Sequence, residues 1–275
     1  METITVFKRI LAATGEEPRA VLAAARGLQA LDKCADIEPF HLDPVRPKDV
    51  LDDLLQRAID TRADILVMGG RTHVLASRAA MLAPCSVLMV PDHSTLAFDK
   101  LLVPVDFSDC SADAARCAVS LGEKSNGDWK AVTVESAEDP WLEWNEDSAR
   151  RLQQRLEKFI ESATGRSAAG KCIVEPLNRS VVAVDHTGIS PAHHIEGADI
   201  AATIAQVAER EKASLVVIGT RGRSRSAMIL LGSVTEHLMQ LAACPVLAVK
   251  HAGHLGLVDA ILARLHQPEP SLTAS

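Results

Sequence analysis

Two stretches of this chain occur twice in the same order, and that repetition constrains its fold more than any other feature. "ADILVMGGRT" at 63–72 is matched by "ASLVVIGTRG" at 213–222, and "LAPCSVLMVPD" at 82–92 by "LAACPVLAVKH" at 241–251. A weaker third pair sets "FKRILAATG" (7–15) against "FDKLLVPVD" (98–106). Shared order implies tandem duplication, with the break in the turn-rich "PDHSTLAFDK".

Within each half, short apolar runs alternate with helical periodicity. The first half reads as strands at 7–13, 36–42, 63–69 and 86–91, with helices at 17–31, 48–61 and 73–82. The second reads as strands at 100–105, 129–135, 171–175, 214–219 and 245–250. Its helices are expected at 111–122, 145–163, 198–211 and 232–242. At 145–163, Ala149, Leu152, Leu156, Phe159 and Ala163 recur every three or four residues and give one buried face. "SLVVIG" at 214–219 is nearly all apolar, as a strand covered on both faces should be. The alternation predicts an α/β fold with a doubly wound parallel sheet in each half, and ligands at the strands' carboxyl ends.

Composition narrows the function. Of 275 residues, 47% are hydrophobic and 24% charged, which suits a packed globular chain. A net charge of −7 argues against nucleic acid as a general partner. No run approaches the roughly 18 apolar residues that span a bilayer, and "METITVFKRI" lacks the features of a signal peptide, so we expect no membrane and a cytoplasmic location. The six cysteines form no CxxC pair and read as reduced thiols.

"IGTRGRSRSAMILLGSVTEHL", residues 218–238, lies between a strand and a helix at the expected ligand edge. Gly219 and Gly222 would let the backbone turn and approach a ligand. Gly232 and Ser233 would open the helix, leaving free N–H groups and the positive dipole end facing the loop. Arg221, Arg223 and Arg225 add positive charge. Glycines alone are equally compatible with a solvated connection.

The spacing Gly219-x2-Gly222-x9-Gly232-Ser233 resembles the nucleotide-binding signature of the universal stress protein family. The resemblance extends through "GSVTEHL", "CPVLAVK" and "LLVPVDFSDCSADAA" (101–115), covering the second half nearly end to end. It implies the adenine nucleotide alpha hydrolase-like fold, with a parallel five-stranded sheet in each of two tandem domains, 1–95 and 96–251, followed by a helix and tail at 252–275. It further implies ATP, with or without magnesium. Pro104, Val105 and Asp106 would end the first strand beside the adenosine, Val134 would touch the adenine, and Ile218 and Gly219 would border the adenosine. Arg221, Gly222, Arg223, Gly232, Ser233 and Val234 would surround the phosphates, with Thr235 on the same side. On residue type alone, Asp106 could instead cap a turn and Val134 could be plain core.

The first half has Thr72 where the second has Gly222, and about nine residues are missing before "LAPCSVLMV". Ala13 and Gly15 stand opposite Pro104 and Asp106. No nucleotide is expected there. The family likeness also implies that 86–91 and 245–250 pair, making one chain a pseudo-dimer. A homodimer of whole chains and an unknown protein partner stay open.

The insertion "LNRSVVAVDHTGISPAHHIEG" carries His186, His193, His194 and Glu196, whose spacing fits no tight metal site; a β-hairpin over the nucleotide mouth is expected. "LGLVDAILARLHQ" has one apolar face for docking on its own domain, and Trp141 and Trp144 sit in a polar linker. No base and magnesium pair suited to fast phosphoryl transfer is evident beyond Asp106. The leading reading is therefore a regulatory ATP-binding module with at most slow hydrolysis. A nucleotide-dependent transferase or hydrolase, or an interaction protein without nucleotide, are the alternatives.

Overall fold

The computed structural model describes residues 7–15, 18–33, 35–42, 49–69, 73–135, 145–177, 192–222 and 231–250. The first half runs β1 (Arg9–Thr14), α1 (Arg19–Leu31), β2 (Asp36–His41), α2 (Asp49–Asp60), β3 (Ile65–Gly69), α3 (His73–Leu82) and β4 (Ser86–Val90). The second runs β5 (Lys100–Pro104), α4 (Asp109–Ser125), β6 (Asp128–Glu135), α5 (Glu146–Thr164), β7 (Cys172–Pro176), α6 (Ala192–Glu211), β8 (Leu215–Gly219), α7 (Ser233–Leu241) and β9 (Val246–Val249).

The nine strands of the described residues form one sheet, ordered β2-β1-β3-β4-β9-β8-β5-β6-β7. Every neighbouring pair is parallel except β4 and β9, which run antiparallel with Val87 opposite Ala248 and Met89 opposite Val246. The strands at 86–91 and 245–250 thus pair as expected. The sheet is continuous across the two halves; among the described residues the first contributes four strands, the number its apolar runs predict, where the family likeness implied five. Its β2 passes to β3 through α2 alone, whereas the second half inserts α5, β7 and α6 between β6 and β8.

The sheet is covered on both faces because its strands are apolar on both sides. Leu66 and Met68 face one layer, shared by Leu54 of α2, Ala79 of α3, Ile204 of α6 and Leu238 of α7. Ile65 and Val67 face the other, shared by Ala25 of α1, Ala118 of α4 and Leu156 of α5. Both layers pass through the β4–β9 seam: Val87 and Ala248 belong to the first, Leu88 and Leu247 to the second.

Local chemistry sets the helix ends. Ser108 caps α4 by accepting from the Ser111 amide at 3.2 Å, and Asn126 ends it in the left-handed region. Asn145 and Ser148 form a capping box on α5, which ends at Gly165 with φ 68°. A hairpin including "SPAHHIE" is corrected: α6 already begins at Ala192, so His193, His194 and Glu196 lie in a helix. From Ala192 to Glu211 the sequence contains no proline to break a helix. The rest of that insertion, with His186, lies outside the described residues, as do Trp141, Trp144 and the segment 252–275.

Candidate functional site

The carboxyl ends of β5, β6 and β8 share one edge of the sheet, where three pieces of the second half converge. After β5, the Val105 amide donates to the Val132 carbonyl at 2.8 Å and keeps the chain against β6. The chain then turns at Asp106, whose Oδ1 accepts from the Ser108 amide at 3.1 Å and the Ser108 hydroxyl at 2.6 Å. Asp106 therefore does form the local turn that its neighbours suggest. Its Oδ2 looks the other way: a Cβ built on Gly222 would sit 2.8 Å from it. Phe107 holds φ 66° to complete the turn, packed edge-on against Phe159 at 5.4 Å with the Arg155 guanidinium over its ring.

The second piece is the loop after β8. Its base is pinched shut, since the Gly232 amide donates to the Thr220 carbonyl at 2.9 Å. Thr235, 2% exposed, donates its hydroxyl to the Gly219 carbonyl at 2.8 Å. That placement differs from the phosphate-side expectation, because the Thr235 hydroxyl pins the loop base from within. Gly219 also has a packing task. A Cβ there would lie 2.8 Å from the Cys110 backbone, so this glycine lets α4 touch β8. Of the three loop glycines, Gly232 is the one with room for a Cβ, which would make only ordinary contacts, the nearest with the Thr220 oxygen at 3.6 Å.

The third piece is the start of α7. Gly232 occupies the cap position with no side-chain cap, so the first amides of the helix, those of Ser233 and Val234 among them, face the loop mouth. Ser233 and Val234 are half-buried, as is Arg221, while Gly222 is exposed. Pro104, Val105 and Ile218 are buried at the strand ends, and Val134 packs partly buried in the same layer as Ile218. Arg223 lies outside the described residues.

The universal stress protein family profile matches residues 97–250, which is more than half of the chain. The chain belongs to the universal stress protein family. It is 31% identical over 153 residues to universal stress protein MJ0531 of Methanocaldococcus jannaschii, covering 56% of this chain and 82% of that one. With universal stress protein YxiE of Bacillus subtilis it shares 28% over 164 residues, 56% of this chain and 99% of that one. A crystal structure described as a universal stress protein of Pseudomonas aeruginosa UCBPP-PA14 superposes with a TM-score of 0.64 at 12% identity, covering 94% of this chain and 98% of its own. That last likeness concerns the fold.

Sequence reasoning missed three residues of this universal stress protein's site. Gly197 of α6 passes beneath α7, where a Cβ would come within 2.2 Å of Ser233 Oγ; a glycine inside a helix was the available signal. Cys110 packs against Gly219, and burial, then Asp113, push its thiol pKa up while Arg221 opposes them. Lys250 follows β9 at the same edge, and its burial pushes its ammonium pKa down to about 8. Neither position has a sequence signature.

Proposed function

We propose that this universal stress protein binds one ATP per chain, in its second half, as a regulatory ligand that is hydrolysed slowly at most. The observation that carries the reading is the loop base. Gly232 has no side chain to cap the first amides of α7 or to shield them from a ligand, and Arg221 lies alongside. Those are the donors and the dipole end that phosphate oxygens need. In this reading Pro104, Val105, Asp106, Val134 and Ile218 receive the adenosine. Arg221, Gly222, Arg223, Gly232, Ser233 and Val234 surround the phosphates, and Gly219 and Thr235 fix the loop's base. Residues 1–95 and 96–251 act as two domains, of which only the second holds nucleotide.

Slow turnover follows from the carboxylates. Asp106 spends one oxygen on Ser108, and the described residues contain no group of three or more His, Cys, Asp or Glu that could hold a metal ion. In this reading magnesium travels on the triphosphate, and among the described residues Asp106 is the carboxylate beside the loop, already engaged by Ser108.

One observation favours a second reading, a nucleotide-dependent transferase. A cavity of about 320 Å³ opens where β7 ends against α6, lined by Glu175, Leu177, Thr203, Gln206 and Arg210 among others. It has the size for a small second substrate. Its polar groups are partly engaged with one another, since Arg210 pairs with Glu175 and Thr203 donates to the Asp199 carbonyl at 2.9 Å. Nucleotide extracted from the purified protein, followed by turnover assays, separates the two. Copurified ATP lost over hours supports the regulatory reading, whereas rapid multiple turnover with an added acceptor establishes the transferase.

A further inference from the structure

The two halves meet along β4 and β9, and the two ends of that seam are built differently. Antiparallel pairing sets the amino end of β4, and the last turn of α3 leading into it, beside the carboxyl end of β9. This is also the edge of the loop. Gly219 is level with Val249 in the parallel β8–β9 pair, and the Thr220 amide donates to the Val249 carbonyl at 3.2 Å. Arg221 and Lys250 therefore leave neighbouring strands side by side.

Lys250 reaches across the seam. Its backbone amide donates to Ser86 Oγ at 3.2 Å, and its Nζ donates to the Ala80 and Met81 carbonyls at 3.1 and 2.8 Å. Both carbonyls belong to the final turn of α3, where a helix has acceptors without partners and the negative end of its dipole. At the other end of the seam the repeat puts Pro91 in the place of Lys250 and Pro245 in the place of Ser86. Proline has no ammonium to extend, no amide hydrogen and no hydroxyl. The grip is thus built at the loop end alone.

The ammonium also answers to charge in the loop. Burial lowers its pKa most, Arg221 lowers it further, and Cys85 before β4 and Cys110 of α4, the other groups facing it, oppose them. Adding negative charge beside Arg221 offsets its repulsion.

We propose that Lys250 couples the loop to the first half: an anion held at Arg221 favours the ammonium that grips α3, so anion binding and that grip strengthen each other. The identity of the anion rests on the ATP reading, while the coupling between Arg221 and Lys250 does not. By reciprocity, anions bind more weakly once Lys250 loses its proton, about tenfold for each unit by which binding raises its pKa.

The test is a lysine-labelled NMR titration of the full chain, with the Lys250 resonance assigned by its loss in Lys250→Arg. Calorimetry with magnesium-free ATP at pH 7.5 and 9.5 accompanies it. Without ligand, Arg221→Gln is expected to raise the Lys250 titration above its wild-type value. Saturating ATP should also raise it in the wild type. ATP affinity should fall several-fold between the two pH values in the wild type and hold steady in Lys250→Arg, which keeps the cation throughout. A titration unmoved by Arg221→Gln overturns the coupling whatever ATP does. The same pH dependence in the wild type and Lys250→Arg overturns it as well. A titration moved by Arg221→Gln in a protein that never binds ATP supports the coupling and removes the ATP reading instead.

Discussion

The junction after β3 and the junction after β8 start alike and end differently. Both strands finish in a buried apolar run and a glycine, Gly69 in one and Gly219 in the other. From Gly69 the chain reaches α3 across residues 70–72, whereas from Gly219 it takes residues 220–232 to reach α7. A short crossing leaves space for a strand-to-helix turn and nothing else. The long one closes on itself through Gly232 and Thr220 and presents helix amides at its mouth. Loop length alone thus separates two junctions that leave the sheet from equivalent strands. The lesson extends to the edges: the half with the long loop also carries β7 and α5, and its seam end holds Lys250 where the other has Pro91.

The sharpest way to break this comparison is to fill the two equivalent glycines. A Cβ on Gly219 would meet the Cys110 backbone at 2.8 Å, while one on Gly69 would meet only the flexible Val21 side chain at 3.5 Å. Gly219→Ala should cost about 1–3 kcal/mol in urea unfolding, and Gly69→Ala should stay within about 0.5 kcal/mol. Equal costs would mean that the two junctions are not packed differently. Gly232→Ala comes next. With room for a Cβ there, stability should change by about 0.5 kcal/mol, while ATP affinity should fall about tenfold, or 1.4 kcal/mol, by calorimetry.

Thr235→Val should cost about 1 kcal/mol, because the Gly219 carbonyl loses its hydroxyl donor while the volume stays nearly the same. The smallest effect concerns pH. Lys250 has a depressed folded pKa, so between about pH 8 and its unfolded value the unfolded chain binds more protons. Stability of the wild type relative to Lys250→Arg should therefore rise as pH rises through that window. The Cys117 thiol, pushed up to about 12 by burial and then Asp113, acts oppositely, and no interaction with Lys250 contributes to its shift. A flat difference between the two proteins across pH 8–10 would show that Lys250 titrates as an exposed lysine does.

Much of this was legible in the sequence because burial on both faces writes itself as continuous apolar runs. "SLVVIG" and "SVLMV" became β8 and β4, and the glycine spacing located the loop. What was not legible depends on partners distant in the chain. The apolar runs of the first half already numbered four against the five that the family likeness implied, but the hydroxyl of Thr235 turns inward only because Gly219 lies beneath it. Gly219 has a packing reason that its spacing does not disclose: a Cβ there would meet the Cys110 backbone. Asp106 forms the turn its neighbours suggest, with one oxygen turned to Ser108 and the other to Gly222, which no residue pattern could have apportioned.

The most direct test of the central claim is the stoichiometry of ATP binding by calorimetry on the full chain, in the wild type and in Gly232→Ala. One site per chain, weakened about tenfold by the substitution, is the predicted result. Two equivalent sites, or a single site indifferent to Gly232→Ala, would contradict it.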